Sequence, residues 1–205
     1  MNEETLGQRE RNRIDTWNAI HTAAYAIAWD AGPAAATTEK IAAAAGVSRR
    51  TFFNYFPTKE DAVLGTREPS VTDAAVHRFR TSDQDELTRV VHLFVTVART
   101  ALPEASWARR RRIVAEHPEL RQRVMRLVSE VERLVTEVIQ TRVEAGKTVE
   151  LAVGEDAEQL EALLMLAGTI AKYALTRHQE SGHGDAEPFL RDSVAVFRKV
   201  VEATR

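Results

Sequence analysis

Residues 37–59 read TTEKIAAAAGVSRRTFFNYFPTK, which predicts two short helices joined by a tight turn. Thr37 can cap the first helix, which is rich in alanine and ends at Gly46, where a left-handed backbone favours glycine. Ser48 can cap a second helix, which runs to Phe56 and stops before a proline, and Thr58 can cap a short helix that follows. The stretch therefore has the length and the boundaries of a helix-turn-helix, and the rest of the chain must support it.

The second of these helices carries side chains suited to DNA. Phe52 and Phe56 lie four residues apart on one face, which leaves the other side chains for solvent or a partner. Arg49 and Arg50 stand at the positive end of the helix dipole, where cations are disfavoured. An arginine fork can bridge guanine O6 and N7 or hold a phosphate, and either use explains this placement. The alternative is a helical hairpin with a solvated arginine pair.

The composition of the chain indicates its fold class and the compartment in which it works. The chain has 205 residues, no cysteine and a net charge of −2, so it can bury a core without disulfides and has no thiol chemistry. Few glycines and prolines and helical apolar spacing predict an all-α fold. We expect a cytoplasmic protein, since no membrane span or signal peptide is recognisable. Residues 1–60 hold seven basic and seven acidic side chains, so the DNA prediction rests on placement and not on net charge.

The first helix is predicted to run from about Arg9 to Ala31 and to cover the helix-turn-helix, with residues 1–8 loose. Its start is rich in arginine, at Arg9, Arg11 and Arg13. These side chains form either an arm toward phosphates or a minor groove, or a plain solvated surface.

A series of short segments follows in a recognisable order: Ile20–Ala24, Gly32, Thr37, Ile41-Ala42, Ala45–Ser48, Arg50–Phe53, Tyr55-Phe56 and Lys59-Glu60. This order resembles the DNA-binding domain of the tetracycline-repressor (TetR) family of bacterial regulators, over about the first 65 residues. The resemblance implies a three-helix domain, a longer fourth helix that leads to a variable all-helical ligand domain, and a homodimer.

The resemblance also implies which residues meet DNA. Phosphates would lie near Thr37, Ser48, Thr51, Tyr55 and Lys59, and bases nearest to Arg49, Arg50 and Asn54. Two positions depart from the family's pattern. Phe53 lacks the hydroxyl of the tyrosine common at that place, and Trp17 replaces a basic residue, either for packing or with a changed approach to the DNA backbone.

The domain boundary is predicted near residue 65. A helix-turn-helix DNA-binding domain would occupy residues 1–65 and a helical ligand-binding and dimerisation domain residues 66–205. The helical pattern lapses from Thr66 to Thr81, where a hinge is expected, and Ser82 with Asp83 and Asp85 is predicted to cap the next helix. Apolar stripes then predict helices over about 82–100, 103–116, 118–145, 155–179 and 186–204.

The resemblance implies a ligand cavity among these helices. The side chains predicted to line it are Phe94, Trp107, Val124, Leu127, Val128, Val131, Met165 and Tyr173. The lining is almost wholly apolar, so the expected ligand is hydrophobic or amphipathic.

Two polar clusters have alternative interpretations. On a helix, the four side chains of Arg109–Arg112 point in four directions. Either most of them face water and acidic neighbours, or some of them bind an anionic group such as the phosphates of an acyl-CoA. His178, His183 and Asp185 have a glycine-rich spacing with no shared helical face, so no metal site and no cofactor is predicted.

The last two helices carry apolar stripes with small residues, suited to close helix packing. Two copies would form a four-helix interface across a two-fold axis. The predicted interface residues are Leu163, Ala167, Ile170, Ala171, Ala174, Leu190, Val194, Phe197 and Val201. The alternative is a stripe buried inside one protomer.

The sequence as a whole predicts a ligand-responsive transcriptional regulator, expected to be a repressor, that binds a palindromic DNA operator as a homodimer. One alternative is a helix-turn-helix protein whose second domain binds a protein. The other is an all-helical enzyme or metal-binding protein. No nucleophile triad, carboxylate pair or glycine-rich phosphate loop stands out, so we do not expect an enzyme.

Overall fold

A computed structural model describes residues 3–103, 107–144, 156–180 and 187–204, and all regular structure in these ranges is helical. The all-α prediction is confirmed. The helices are α1 (Glu3–Ala31), α2 (Thr38–Ala44), α3 (Arg49–Tyr55), α4 (Lys59–Leu64), α5 (Asp73–Thr81), α6 (Glu86–Ala101), α7 (Trp107–Glu116), α8 (Arg121–Glu144), α9 (Ala157–Glu180) and α10 (Glu187–Ala203). A short 3₁₀ helix, Pro118–Leu120, precedes α8.

The chain forms two compact units. The first comprises Met1–Arg67 and Leu102–Met125, and the second comprises Glu68–Ala101 and Arg126–Arg205. The first unit thus includes α7, the 3₁₀ helix and the start of α8, which the predicted domain of residues 1–65 does not include. That functional division stays a prediction.

The first unit is built on α1, which packs against α2, α4 and α7. Its buried core is Trp17, Ile20, Ala24, Ala28, Ala36, Ile41, Ala42, Phe52, Phe56, Ala62, Val63, Leu64, Ile113 and Leu120. The first helix already begins at Glu3, so the prediction of a loose segment is wrong for residues 3–8.

Helix α4 is short, which corrects the longer fourth helix implied by the resemblance. It ends at Leu64 because Gly65 adopts a left-handed conformation with φ of 61°. The Thr66 N–H then donates to the Asp61 carbonyl over 3.0 Å. The buried Arg110 donates from Nε to the Leu64 carbonyl (3.0 Å) and from Nη2 to the Gly65 carbonyl (3.2 Å). The open end of α4 is therefore hydrogen-bonded to α7.

Asp61 is a buried residue of α4 whose carboxylate connects the helix to its surroundings. Its buried carboxylate accepts hydrogen bonds from Thr58 Oγ1 (2.6 Å), Thr66 Oγ1 (2.9 Å) and Arg123 Nε (2.7 Å). Thr58 in turn caps the helix by accepting from the Asp61 N–H over 3.1 Å. The cap was predicted, but the charged partner was not, because Arg123 lies 62 residues further along the chain.

The arginine run of α7 has a role that neither interpretation of the sequence included. Arg109 lies 5.6 Å from the Tyr25 ring centroid, and Arg112 lies 4.3 Å from that of Trp29. Together with the buried Arg110, these two side chains attach α7 to α1 and α4. The run is therefore part of the packing of the first unit.

The second unit surrounds α6, whose buried residues include Val90, Val91, Leu93, Phe94, Val95 and Val97. Helices α5, α9 and α10 pack against it. Helix α5 lies where the sequence predicted a lapse, and Thr72 caps it by accepting from the Ala75 N–H. Ser82 ends α5, whereas Asp85 caps α6 by accepting from the Thr88 N–H over 3.2 Å. Of the three predicted cap residues, Asp85 is therefore confirmed, and Ser82 is wrong because α5 extends to that point.

No helix within the described ranges is both long and apolar enough to cross a membrane.

Candidate nucleic-acid interface and effector groove

The turn between α2 and α3 has the geometry that the sequence predicts. The Lys40 N–H donates to Thr37 Oγ1 over 3.3 Å, and the Thr51 N–H donates to Ser48 Oγ over 2.9 Å. Gly46 has φ of 67°, and a Cβ at this position would meet no atom within 4 Å. The glycine is therefore required by the backbone conformation and not by crowding.

Helix α3 presents one apolar and one polar face. Phe52 and Phe56 are completely buried and hold the helix on the core of the first unit. The opposite side exposes Arg49, Arg50 and Asn54, with Thr51 and Tyr55 half-buried. This separation leaves the polar face available to a major groove, as the helix-turn-helix prediction requires.

Phe53 is an exposed aromatic residue on the polar face of α3, for which the sequence predicts no DNA contact. Its ring is 45% exposed and packs edge-on against Phe52, with 5.3 Å between ring centroids. An exposed ring on a recognition helix can contact a thymine methyl group, which needs no hydroxyl. The signal available in the sequence was an apolar residue on the polar face of α3.

The two arginines at the start of α3 differ in their surroundings. Arg49 forms an ion pair with Glu39 over 3.4 Å and lies 5.6 Å from the Phe53 ring centroid. Hydrogen bonds, the first of them from its own backbone N–H at the start of α2, lower the pKa of Glu39. Within the described part of the chain, Arg50 has neither an ion pair nor a side-chain hydrogen bond. Arg50 is therefore the better placed guanidinium for a new partner.

Lys59 has a structural partner in addition to its predicted phosphate. Its Nζ donates to the Pro33 carbonyl over 3.1 Å and so ties the start of α4 to the loop after α1. An ammonium group has three donors, so one bond to Pro33 leaves two for a phosphate. The phosphate contact stays a prediction.

Trp17 packs into the core of the first unit. Its buried ring lies 5.3 Å from that of Phe56, between centroids, and the Arg67 guanidinium lies 4.8 Å from its centroid.

The arginines near the start of α1 are helical and not part of an extended arm. Arg13 pairs with Glu10 over 3.1 Å, and Arg11 donates to Gln8 over 3.2 Å.

His21 is a buried titratable group that no sequence motif indicated. Its Nδ1 lies 2.8 Å from the Ala62 carbonyl, so Nδ1 carries the hydrogen and donates. Burial lowers its pKa to about 4, against a smaller opposing effect of the Ala62 hydrogen bond. The ring is therefore neutral at physiological pH and links α1 to α4.

The second unit contains an open groove of about 530 Å³. We call it the effector groove, and its lining consists of Phe94, Glu132, Thr136, Gln140, Ala157, Leu160, Glu161, Leu164 and Met165. It lies among α6, α8 and α9. Of the predicted ligand-binding residues, Phe94 and Met165 are brought together here.

The other predicted lining residues lie elsewhere. Leu127 and Val131 are buried in the core, and Val128 is half-buried. Tyr173 packs edge-on against Phe197, with 5.6 Å between centroids. Val124 packs against the core of the first unit, and the side chain of Trp107 lies outside the described part. Apolar periodicity identified the inner faces of these helices, but inner faces mostly pack against one another.

A smaller, more polar groove of about 280 Å³ lies among α5, α6 and α10. Its charged lining residues are Arg78, Asp83, Arg89 and Glu187, and His92 lies 3.4 Å from Glu187. The opposite charges balance, so this groove selects no ligand charge.

Most of the predicted interface residues are buried within the second unit itself. These are Ala167, Ile170, Ala171, Ala174, Leu190 and Val194, and their place in an interface between two copies stays a prediction. They contact neighbouring helices of the same chain because α9 packs on both α6 and α10. Leu163 and Phe197 are half-buried, and Val201 is exposed. The outer face of α10 exposes two further valines, Val196 and Val200.

Among the described residues, no three histidine or carboxylate side chains are grouped to hold a metal ion. The side chain of His178 lies outside the described part, as do His183 and Asp185.

Comparison with known proteins gives one family. Residues 20–64 match the family model described as "Bacterial regulatory proteins, tetR family". The match runs from the middle of α1 to the end of α4 and so includes the whole helix-turn-helix. No curated protein sequence matches the chain.

Proposed function

This chain belongs to the TetR family of bacterial regulatory proteins and is a DNA-binding transcriptional regulator, and we propose that it represses transcription by binding a palindromic operator as a homodimer. The carrying observation is the exposed polar face of α3 (Arg49–Tyr55), whose opposite face is locked by Phe52 and Phe56. A rigidly held recognition helix can keep its side chains at fixed positions along base edges.

Each protomer would read one half-site. Arg50 and Asn54 would contact base edges, with Arg49 nearby, while Ser48, Thr51, Tyr55, Thr37 and Lys59 would lie near phosphates. The two-fold axis of the dimer would then match the symmetry of the operator. Phe53 would add an apolar contact on the same face.

The homodimer is supported by the outer face of α10. Val196 and Val200 are four residues apart and exposed, next to the exposed Val201. Clustered apolar side chains on one helix face favour burial against a second copy, and a two-fold contact uses the same face twice.

Regulation would come from the effector groove. A hydrophobic or amphipathic molecule that binds better to the conformation unable to hold DNA would weaken operator binding, and DNA would weaken effector binding by the same factor. An acyl-CoA is not supported, because Arg109, Arg110 and Arg112 are engaged within the first unit.

The test is binding of the purified protein to fluorescent DNA from its own upstream intergenic region. Fluorescence anisotropy would be measured across a salt series, with random DNA as competitor. We expect saturable binding that survives competitor, with two protomers per site. The affinity should fall linearly on a log–log plot against salt as phosphates release counterions.

A control is the double variant Arg50→Ala/Asn54→Ala, which keeps the buried face of α3 intact. It should retain weak, salt-dependent binding but lose the preference for the upstream DNA. Equal affinity of the wild-type chain for random and upstream DNA would contradict an operator in that region, and one protomer per site would contradict the dimer.

A further inference from the structure

We propose that the effector groove binds an amphipathic cation. This inference rests on the proposed function, since it names the chemical class of the effector. It is carried by the charge of the groove, the shape of its apolar surface and its hydrogen-bonding groups.

The described lining of the groove carries two negative charges and no positive one. Glu132 of α8 and Glu161 of α9 both line it, and none of its described lining residues is basic. Both side chains are exposed, and neither forms an ion pair within the described part of the chain. By contrast, Glu137 on α8 is paired with Arg133. Two unpaired carboxylates beside an apolar surface raise the local concentration of cations and repel anions.

The rest of the lining is a largely apolar surface of adaptable shape. Leu160, Leu164 and Met165 line it from α9, and Phe94 lies beneath them on α6. Met165 is 69% exposed. Its flexible thioether can adjust to ligands of different outline. A bound hydrocarbon part would remove this side chain from water.

Gly168 explains how the aromatic ring comes close to α9. A Cβ at this position would lie 3.6 Å from Phe94 Cζ and 3.9 Å from Glu132 Oε1. The glycine therefore allows a ring and a carboxylate to lie near the same point of the α9 backbone.

The polar groups of the lining fit a cation as well. Thr136 Oγ1 donates its hydrogen to the Glu132 carbonyl over 2.8 Å, so the hydroxyl oxygen offers only acceptor lone pairs to a ligand. Gln140 adds an amide group, whose oxygen can accept from a cation and whose NH2 is a donor. A carboxylate or phosphate ligand would find few donors here and would face both glutamates.

The experiment uses two ions of nearly the same shape and opposite charge, tetraphenylphosphonium and tetraphenylborate. Isothermal titration calorimetry on the full-length protein would measure both without any DNA. We expect the phosphonium to bind once per protomer and roughly tenfold or more tighter than the borate, because two carboxylates act on it.

Glu132→Gln and Glu161→Gln keep the size of each side chain and remove its charge. Each should weaken phosphonium binding roughly fivefold and leave or improve borate binding. Glu137→Gln is the matched control on α8, because Glu137 does not line the groove, and it should leave both affinities unchanged. Circular dichroism would verify that the three variants remain helical.

Three outcomes would overturn the inference: no binding of the phosphonium, equal binding of both ions, or a phosphonium affinity that neither groove variant changes. The calorimetry does not depend on operator binding. A chain that binds the cation through both glutamates but never binds DNA specifically would retain the groove and refute the repressor, whereas specific DNA binding with no cation selectivity would do the reverse.

Discussion

At the scale of single residues, Arg49 and Arg50 show how neighbours of the same type can have different tasks. Both suit DNA by charge, but Arg49 is already held by Glu39 and Phe53. To contact a base, Arg49 would have to leave that ion pair. Arg50 has no such competing contact within the described residues.

Arg50→Ala should therefore weaken operator binding by about 1–3 kcal/mol and relax the preference for one base pair, if its guanidinium bridges a guanine. Arg49→Ala should cost less, because Arg49 gives up the Glu39 ion pair to reach DNA. Anisotropy at fixed salt with single-base operator variants would measure both effects. An unchanged preference in Arg50→Ala would contradict the base contact.

His21 makes the stability of the first unit depend on pH. Its pKa is about 4 in the folded chain, against about 6.5 in an unfolded chain. Between these values the unfolded state binds a proton that the folded state does not, so the free energy of unfolding falls as pH falls. The loss begins below pH ~6.5 and reaches about 3 kcal/mol near pH 4.

Urea unfolding at pH 7 and pH 5 would measure this effect. All three tryptophans, Trp17, Trp29 and Trp107, belong to the first unit, so tryptophan fluorescence reports on that unit. His21→Asn can still donate to the Ala62 carbonyl but does not titrate, and its stability should depend less on pH. The same pH dependence in both proteins would assign the effect to other groups.

At the scale of elements, α4 and α7 depend on each other. Helix α4 has six residues, too few to be stable alone. Its C-terminal carbonyls accept hydrogen bonds from the buried Arg110, and burial lowers the pKa of Arg110 to about 10. The guanidinium is still charged at neutral pH, so both bonds are charge-assisted.

Arg110→Met should lower the free energy of unfolding of the first unit by about 2–3 kcal/mol, because two buried carbonyls lose their donors. Urea unfolding followed by tryptophan fluorescence would measure the loss. Arg111→Met, at an exposed position of the same helix, should cost less than 1 kcal/mol. Equal losses in both variants would refute the role of Arg110.

At the scale of the whole molecule, the proposed dimer depends on which side chains remain on the surface. Val200 is 57% exposed on α10, whereas Ala171 is buried on α9. A charge at Val200 should act on association alone, and a charge at Ala171 should act on folding.

Val200→Glu should shift the protein from dimer to monomer in sedimentation velocity at micromolar concentration, with unchanged helical content. Ala171→Glu should lose thermal stability instead, since it buries an unpaired carboxylate. A wild-type monomer would contradict the proposed dimer. A Val200→Glu protein that stays dimeric would place the interface elsewhere.

The sequence by itself determined the local features. The caps at Thr37, Ser48 and Thr58 and the left-handed Gly46 were predicted and are present. They depend on hydrogen bonds that span three or four residues and on the φ angle of one glycine, so the information lies within a single turn. The apolar spacing of 3.6 residues likewise predicted the all-α fold.

Only the tertiary structure decided the partners. Arg110 meets Gly65 across 45 residues and Arg123 meets Asp61 across 62, and no local pattern indicates such pairs. An apolar stripe shows that a face is buried but not against which surface. The side chains predicted for the ligand site and the interface were drawn from such stripes on α6, α8, α9 and α10, and many of them pack within the chain. Glu132 and Glu161 lie on different helices, and only the fold brings both to the lining of the effector groove.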